Sequence, residues 1–129
     1  MFLYKLIMLI STAFIPLVLI VAGKIYKKFP SKEPNIAVGF RTKLAMKNKE
    51  TWDYAQKLFS IVWINLGRKL LSLSLVILFL LYSNDKDYTG NLVIILMLVQ
   101  VVLMLGSILY VNLKLKETFN SDGSRKQIN

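Results

Sequence analysis

The sequence predicts an all-α integral membrane protein with three transmembrane helices and a long amphipathic N-terminal extension of the second helix. Two observations carry this expectation. Apolar residues make up 55% of the 129 and are collected into long runs, and the basic residues cluster on alternate connections between those runs. A mean hydropathy of +0.52 is also high for a soluble domain of this length. Spans are expected at about 6–23, 66–83 and 91–113 within one membrane domain over 1–119, and the polar residues 120–129 are expected to be a disordered cytoplasmic tail.

The first run, Leu6 to Gly23, contains no charge, and Leu92 to Leu113 is interrupted only by Gln100, Gly106, Ser107 and Asn112. As helices they reach about 27 and 33 Å, matching a hydrocarbon core of roughly 30 Å. A helix is required because lipid offers no partner for a free backbone N–H or C=O. The first run also has the outline of a cleaved secretory signal, since Lys5 precedes it and Ala22 and Gly23 end it. Cleavage would leave a Lys-rich segment outside, against the positive-inside rule, so an uncleaved span is the better reading. Pro16 removes one backbone N–H in that span and calls for a neighbouring group to satisfy the freed carbonyl. In the third span Gln100 is expected to hydrogen-bond another helix, and Gly106 and Ser107 to let one approach closely.

The middle helix is predicted to run unbroken from about Lys49 to Ser83, with Asn48 as its cap and Glu50 in the first turn. That is about 52 Å, more than a membrane needs. Helical spacing puts Trp52, Ala55, Phe59, Val62, Trp63 and Leu66 on one face, with Asp53, Gln56, Lys57, Ser60 and Arg68 opposite. This describes an amphipathic segment with its Trp residues near the headgroups. Arg68 and Lys69 are expected some 8 Å inside the hydrocarbon edge, within snorkelling reach of it. Alternatively, Lys57 and Arg68, with Lys69, contact a partner or lipid on that face.

The net charge is +10. Its placement points to membrane topology and attraction to anionic lipid, not to direct nucleic-acid binding. Lys24 to Asp53 carries eight Lys and Arg against Glu33, Glu50 and Asp53, whereas Ser83 to Gly90 has Lys86 alone between two Asp. The basic connection and the C-terminus are therefore expected inside, and the N-terminus outside. With no Cys and no His, the chain has no thiol nucleophile, no Ser-His-Asp triad and no ordinary zinc site. No metal, cofactor or catalytic residue is expected.

The most informative stretch is the motif loop, 30–52. Phe29-Pro30 and Glu33-Pro34 break any helix, and Asn35, Gly39, Phe40, Arg41 and Thr42 then supply turn chemistry, a flexible backbone point and a planar fork of donors. Trp52 follows ten residues after Thr42. This pattern between two membrane helices resembles the signature of the SdpI family, the immunity proteins against a sporulation-delaying toxin. The resemblance implies a protein of the bacterial cell membrane that protects against a secreted membrane-active peptide, with the peptide toxin as partner. In the best-known case such a protein also holds a transcriptional repressor at the membrane. The best-known members have more membrane helices than this chain. Read from the residues alone, the motif is equally a scaffold turn that fixes two helices together. A small transporter or channel subunit, or an assembly partner of another membrane protein, is the alternative function.

Overall fold

In a computed structural model the described residues form three helices, α1 (Phe2–Lys28), α2 (Lys49–Leu81) and α3 (Lys86–Thr118), each long and apolar enough to cross a membrane. The structure describes residues 2–28 and 42–126. The fold class is the predicted one, and each helix runs past its apolar run into charged flanks.

α2 begins where its cap chemistry requires. Asn48 is extended and accepts from the Thr51 N–H at 2.9 Å, while the Thr51 hydroxyl accepts from the Asn48 N–H at 3.1 Å. This reciprocal box satisfies donors that a helix start would leave free, an arrangement worth about 1 kcal/mol. The helix ends at Leu81, two residues before the predicted Ser83, because Ser83 is engaged elsewhere. The Thr89 side chain accepts from the Ser83 N–H at 3.2 Å and donates to the Ser83 carbonyl at 2.7 Å. Asp85 then caps α3 by accepting from the N–H groups of Asp87 and Tyr88. The short connection makes α2 and α3 antiparallel.

α1 lies antiparallel to α2 through two glycines. A Cβ on Gly23 would fall 2.9 Å from the Ser60 carbonyl oxygen, and one on Gly67 would fall 2.8 Å from that of Pro16. Only hydrogen fits at such distances, and this close approach lets backbones and side chains attract by dispersion where lipid supplies no hydrophobic drive. The contact revises the predicted helical wheel. Gln56 and Ser60, placed with the solvated polar residues by their spacing, are buried on the side facing α1. Ser60 satisfies its hydroxyl by donating to the Lys57 carbonyl within the same helix, at 2.8 Å.

α3 packs on the predicted apolar face. Ala55 and Phe59 of α2 join Val111 and Leu115 of α3 in one buried cluster with Ala45 and Phe119. Deeper in the bundle the contacts are polar. Gln100 donates through Nε2 to the Thr12 carbonyl and to Ser74 Oγ, both at 2.9 Å, tying all three helices at one level. Thr12 is four residues before Pro16, so its carbonyl is the one the missing proline N–H leaves free. The expected roles of Pro16 and Gln100 thus meet in a single contact. Trp63 adds a bond from its Nε1 to Ser107 Oγ at 3.0 Å. The close approach expected at Gly106 is absent: that residue is exposed, and no atom lies within 4 Å of where its Cβ would be, because α3 is rotated to face Ser107 inward.

Candidate functional site

Of the functional candidates from the sequence, Thr42, Trp52 and Lys57 lie toward the basic end of the bundle, where α1 and α3 finish and α2 starts. Of the motif, Asn35, Gly39, Phe40 and Arg41 lie outside the described residues. Thr42 opens a turn in which its carbonyl accepts from the Met46 N–H at 3.1 Å and its hydroxyl from the Ala45 N–H at 3.4 Å. That turn delivers Ala45 into the buried cluster and Asn48 to its cap. Trp52, in the first turn of α2, is fully buried inside the protein, so its ring is not part of a headgroup-facing belt. Trp63 is half-buried and stacks near Phe59, with ring centres 4.3 Å apart.

The same end is closed by a feature the sequence reading missed. Residues 120–126, expected to belong to a disordered tail, fold back behind Phe119 as a closed turn, while 127–129 lie outside the described residues. Phe119 is 1% exposed and packs edge-on to Tyr54 at 5.4 Å between ring centres. Beyond it the Asn120 N–H donates to the Ser124 carbonyl at 2.7 Å and the Lys126 N–H to the Thr118 carbonyl at 2.9 Å. Gly123 sits at φ +90, a conformation that glycine adopts without strain. Its carbonyl accepts from Asn48 Nδ2 at 2.8 Å, and Arg125 Nε donates to Glu50 Oε1 at 2.7 Å, so the tail clasps the start of α2. Hydrogen bonds from the Ser124 hydroxyl and N–H hold the Asp122 carboxyl below its ordinary range, and nearby Lys47 acts in the same direction. The signal was available: Asp122-Gly123 is turn chemistry following an aromatic anchor, Phe119.

Two openings flank this region. A cavity of about 750 Å³ lies between the Thr42 turn, the end of α3 and the tail, and its lining includes Lys43, Lys47, Lys116 and Lys126. A cleft of about 400 Å³ between α1 and α2 is lined by Tyr26, Lys27, Asp53, Gln56, Lys57 and Ser60. Lys57 thus borders a real groove. Arg68 and Lys69 are exposed on the outside of the bundle. Gly67 touches the Pro16 carbonyl and Ile20, which lie three to seven residues inside the Gly23 end of the first apolar run. The rise per residue then sets Arg68 and Lys69 about 5–10 Å within that edge, a depth from which both can snorkel.

The sequence profile of the SdpI/YfhL protein family matches residues 32–111, more than half of the chain. The chain belongs to that family. The match begins before Asn35, takes in Gly39 to Thr42 and Trp52, and continues through α2 to Val111 of α3. It thus reaches well beyond the motif loop and omits the whole of α1. Neither the curated proteins nor the solved structures contain a significant match. The SdpI/YfhL assignment therefore rests on the connection, α2 and α3 as far as Val111. Among the described residues no group of His, Cys, Asp and Glu is arranged to hold a metal ion.

Proposed function

We propose that this multi-pass membrane protein is an immunity protein that protects a bacterial cell against a secreted membrane-active peptide by binding it, without catalysis. Family membership over residues 32–111 is the observation that carries the reading. The absence of Cys and His from the sequence, which removes the usual nucleophiles and bases, favours binding over chemistry. Capture of a transcriptional repressor at the basic face is the family-derived extension of the same reading. A small transporter or assembly role is the alternative.

Expression in a sensitive bacterium should raise the tolerated dose of a cognate membrane-active peptide. Gly39→Val should remove the effect while leaving the protein inserted, because valine narrows the backbone choice at the motif and the spans are unchanged. Equal sensitivity with and without the protein, for the toxin encoded nearest to its gene, would put the transport and assembly readings ahead.

The proposed orientation has the N-terminus outside and the basic end inside, as the Lys and Arg asymmetry favours. Since the chain has no Cys, single cysteines report cleanly. Asn84→Cys, in the exposed connection after α2, should react with an impermeant thiol reagent on intact cells, and Lys49→Cys should not. The reverse pattern inverts the topology.

A further inference from the structure

The cavity at the basic end has one-sided chemistry that the immunity reading does not use. Lys43 and Lys47 approach it from the turn before α2, Lys116 from the last turn of α3 and Lys126 from the tail. Among the described residues none of these four forms an ion pair, because the neighbouring carboxylates are engaged. Glu117 holds Lys114 at 3.3 Å, Glu50 holds Arg125 at 2.7 Å, and Asp122 accepts from Ser124. Lys47 feels Asp122 without bonding to it. In sequence, the connection 29–41 contains one acid, Glu33, and two bases, Lys32 and Arg41. Four ammonium groups around one opening repel each other until an anion joins them.

A second observation specifies that anion further. Asn112 also lines the cavity, one helical turn before Lys116, and its side-chain oxygen is buried with no hydrogen-bond partner. A buried acceptor left unmatched is costly, so this position suits a ligand that brings a donor. Height supplies the third constraint. Asn112 belongs to the end of the apolar run that closes at Leu113, and Lys116 lies beyond it, which sets the cavity at the level of the phosphate layer of a bilayer.

We propose that this cavity binds the phosphodiester headgroup of an anionic glycerophospholipid, with the phosphate among Lys43, Lys47, Lys116 and Lys126 and a headgroup hydroxyl donating to Asn112 Oδ1 once that side chain turns toward the cavity. The site stands independently of the immunity reading, since it rests on the turn, α3 and the tail. Inorganic phosphate shares the anionic chemistry but lacks the glycerol hydroxyl and the membrane anchor.

The test uses the full chain in bilayer nanodiscs made from mixtures of phosphatidylcholine and phosphatidylglycerol, with lipids retained on extraction measured by mass spectrometry. Phosphatidylglycerol should be enriched about tenfold over phosphatidylcholine, the scale expected when several lysines act together. The variant Lys43→Gln, Lys116→Gln, Lys126→Gln should lose the enrichment. Lys27→Gln, Lys57→Gln, Lys69→Gln removes the same charge outside the cavity and should keep it within about twofold. Replacing these same three cavity lysines by arginine should preserve it, which separates lost charge from lost folding. Asn112→Leu should abolish the preference for phosphatidylglycerol over phosphatidylmethanol, an anionic phosphodiester with no headgroup hydroxyl, and leave both preferred to phosphatidylcholine. Equal loss in the two glutamine variants, or no enrichment in the native protein, would overturn the site. Thermal protection by inorganic phosphate over chloride at equal ionic strength, in pure phosphatidylcholine and only with the cavity lysines present, would support the phosphate site and assign its source to a soluble ion.

Discussion

α1 and α3 both pack on α2, yet they are held by different means. α1 meets α2 through the absence of side chains, at Gly23 and Gly67, where backbone carbonyls occupy the space a Cβ would need. Beyond the apolar cluster at the basic end, α3 meets its neighbours through polar side chains, with Gln100 reaching Thr12 and Ser74, and Trp63 reaching Ser107. The contrast shows what a bilayer leaves available once hydrophobic burial no longer distinguishes protein from lipid. Close approach rewards dispersion between backbones, and a hydrogen bond rewards any polar group that has nowhere else to go. Shape specifies one contact and chemistry the other.

The largest effect should come from breaking the shape-specified contact. Gly67→Leu forces atoms into the Pro16 carbonyl and should destabilise the bundle by about 3 kcal/mol or more. Thermal melting followed by Trp fluorescence in detergent measures it. Gly106→Leu adds the same atoms to α3 where nothing lies within 4 Å, so its melting point should be unchanged within error. A comparable loss at both positions would show that the close approach to α1 is not what makes Gly67 necessary.

A smaller effect is expected at the polar contact. Gln100→Leu removes two hydrogen bonds and leaves the Thr12 carbonyl and Ser74 hydroxyl without that donor, a loss of about 1–2 kcal/mol by analogy with other membrane helix pairs. The loss is tempered because the substitution also removes an unpartnered buried oxygen, Gln100 Oε1. Pro16→Ala should stabilise α1 and weaken the dependence on Gln100, since the restored N–H competes for the same carbonyl. A double-mutant cycle between the two positions would sharpen the comparison, and strict additivity would deny the link between the proline and the glutamine.

The smallest effect lies at the tail clasp. The Asp122 carboxyl is held below its ordinary range, so its contribution is present above the unfolded value and is lost as pH falls through the folded one. Protection of the Gly123 and Ser124 amides from exchange should therefore persist down to about pH 4 and decline only below it. A decline beginning near neutrality would mean that another group governs the clasp.

How much of this was legible in the sequence follows the same division. Uninterrupted apolar runs, the Asn48 cap and the separate needs of Pro16 and Gln100 are local or compositional signals, and they described the helices well. Rotation about a helix axis is not local. Spacing placed Gln56 and Ser60 with solvated groups because one amphipathic face was sought, whereas α2 is covered on two sides and uses Ser60 as a small residue opposite Gly23. Gly106 and Gly67 look alike as letters, and only the packing tells which one a neighbour needs. The tail was misread because its composition is polar, while its order comes from Phe119 entering a core formed by residues far away in sequence. Of the candidate site, Trp52 and Thr42 take structural roles that explain why they belong to a motif, and the lysine cavity escaped notice because its four members lie on three separate segments.

The central claim, that this SdpI/YfhL protein protects by binding and not by turnover, is tested most directly by titrating protection against the amount of protein. Cells carrying graded levels of the inserted protein, quantified in isolated membranes, should tolerate a toxin dose that rises in proportion to that level. Full protection by a few copies per cell, unchanged as expression increases, would contradict the account and point to a catalytic or signalling mode of defence.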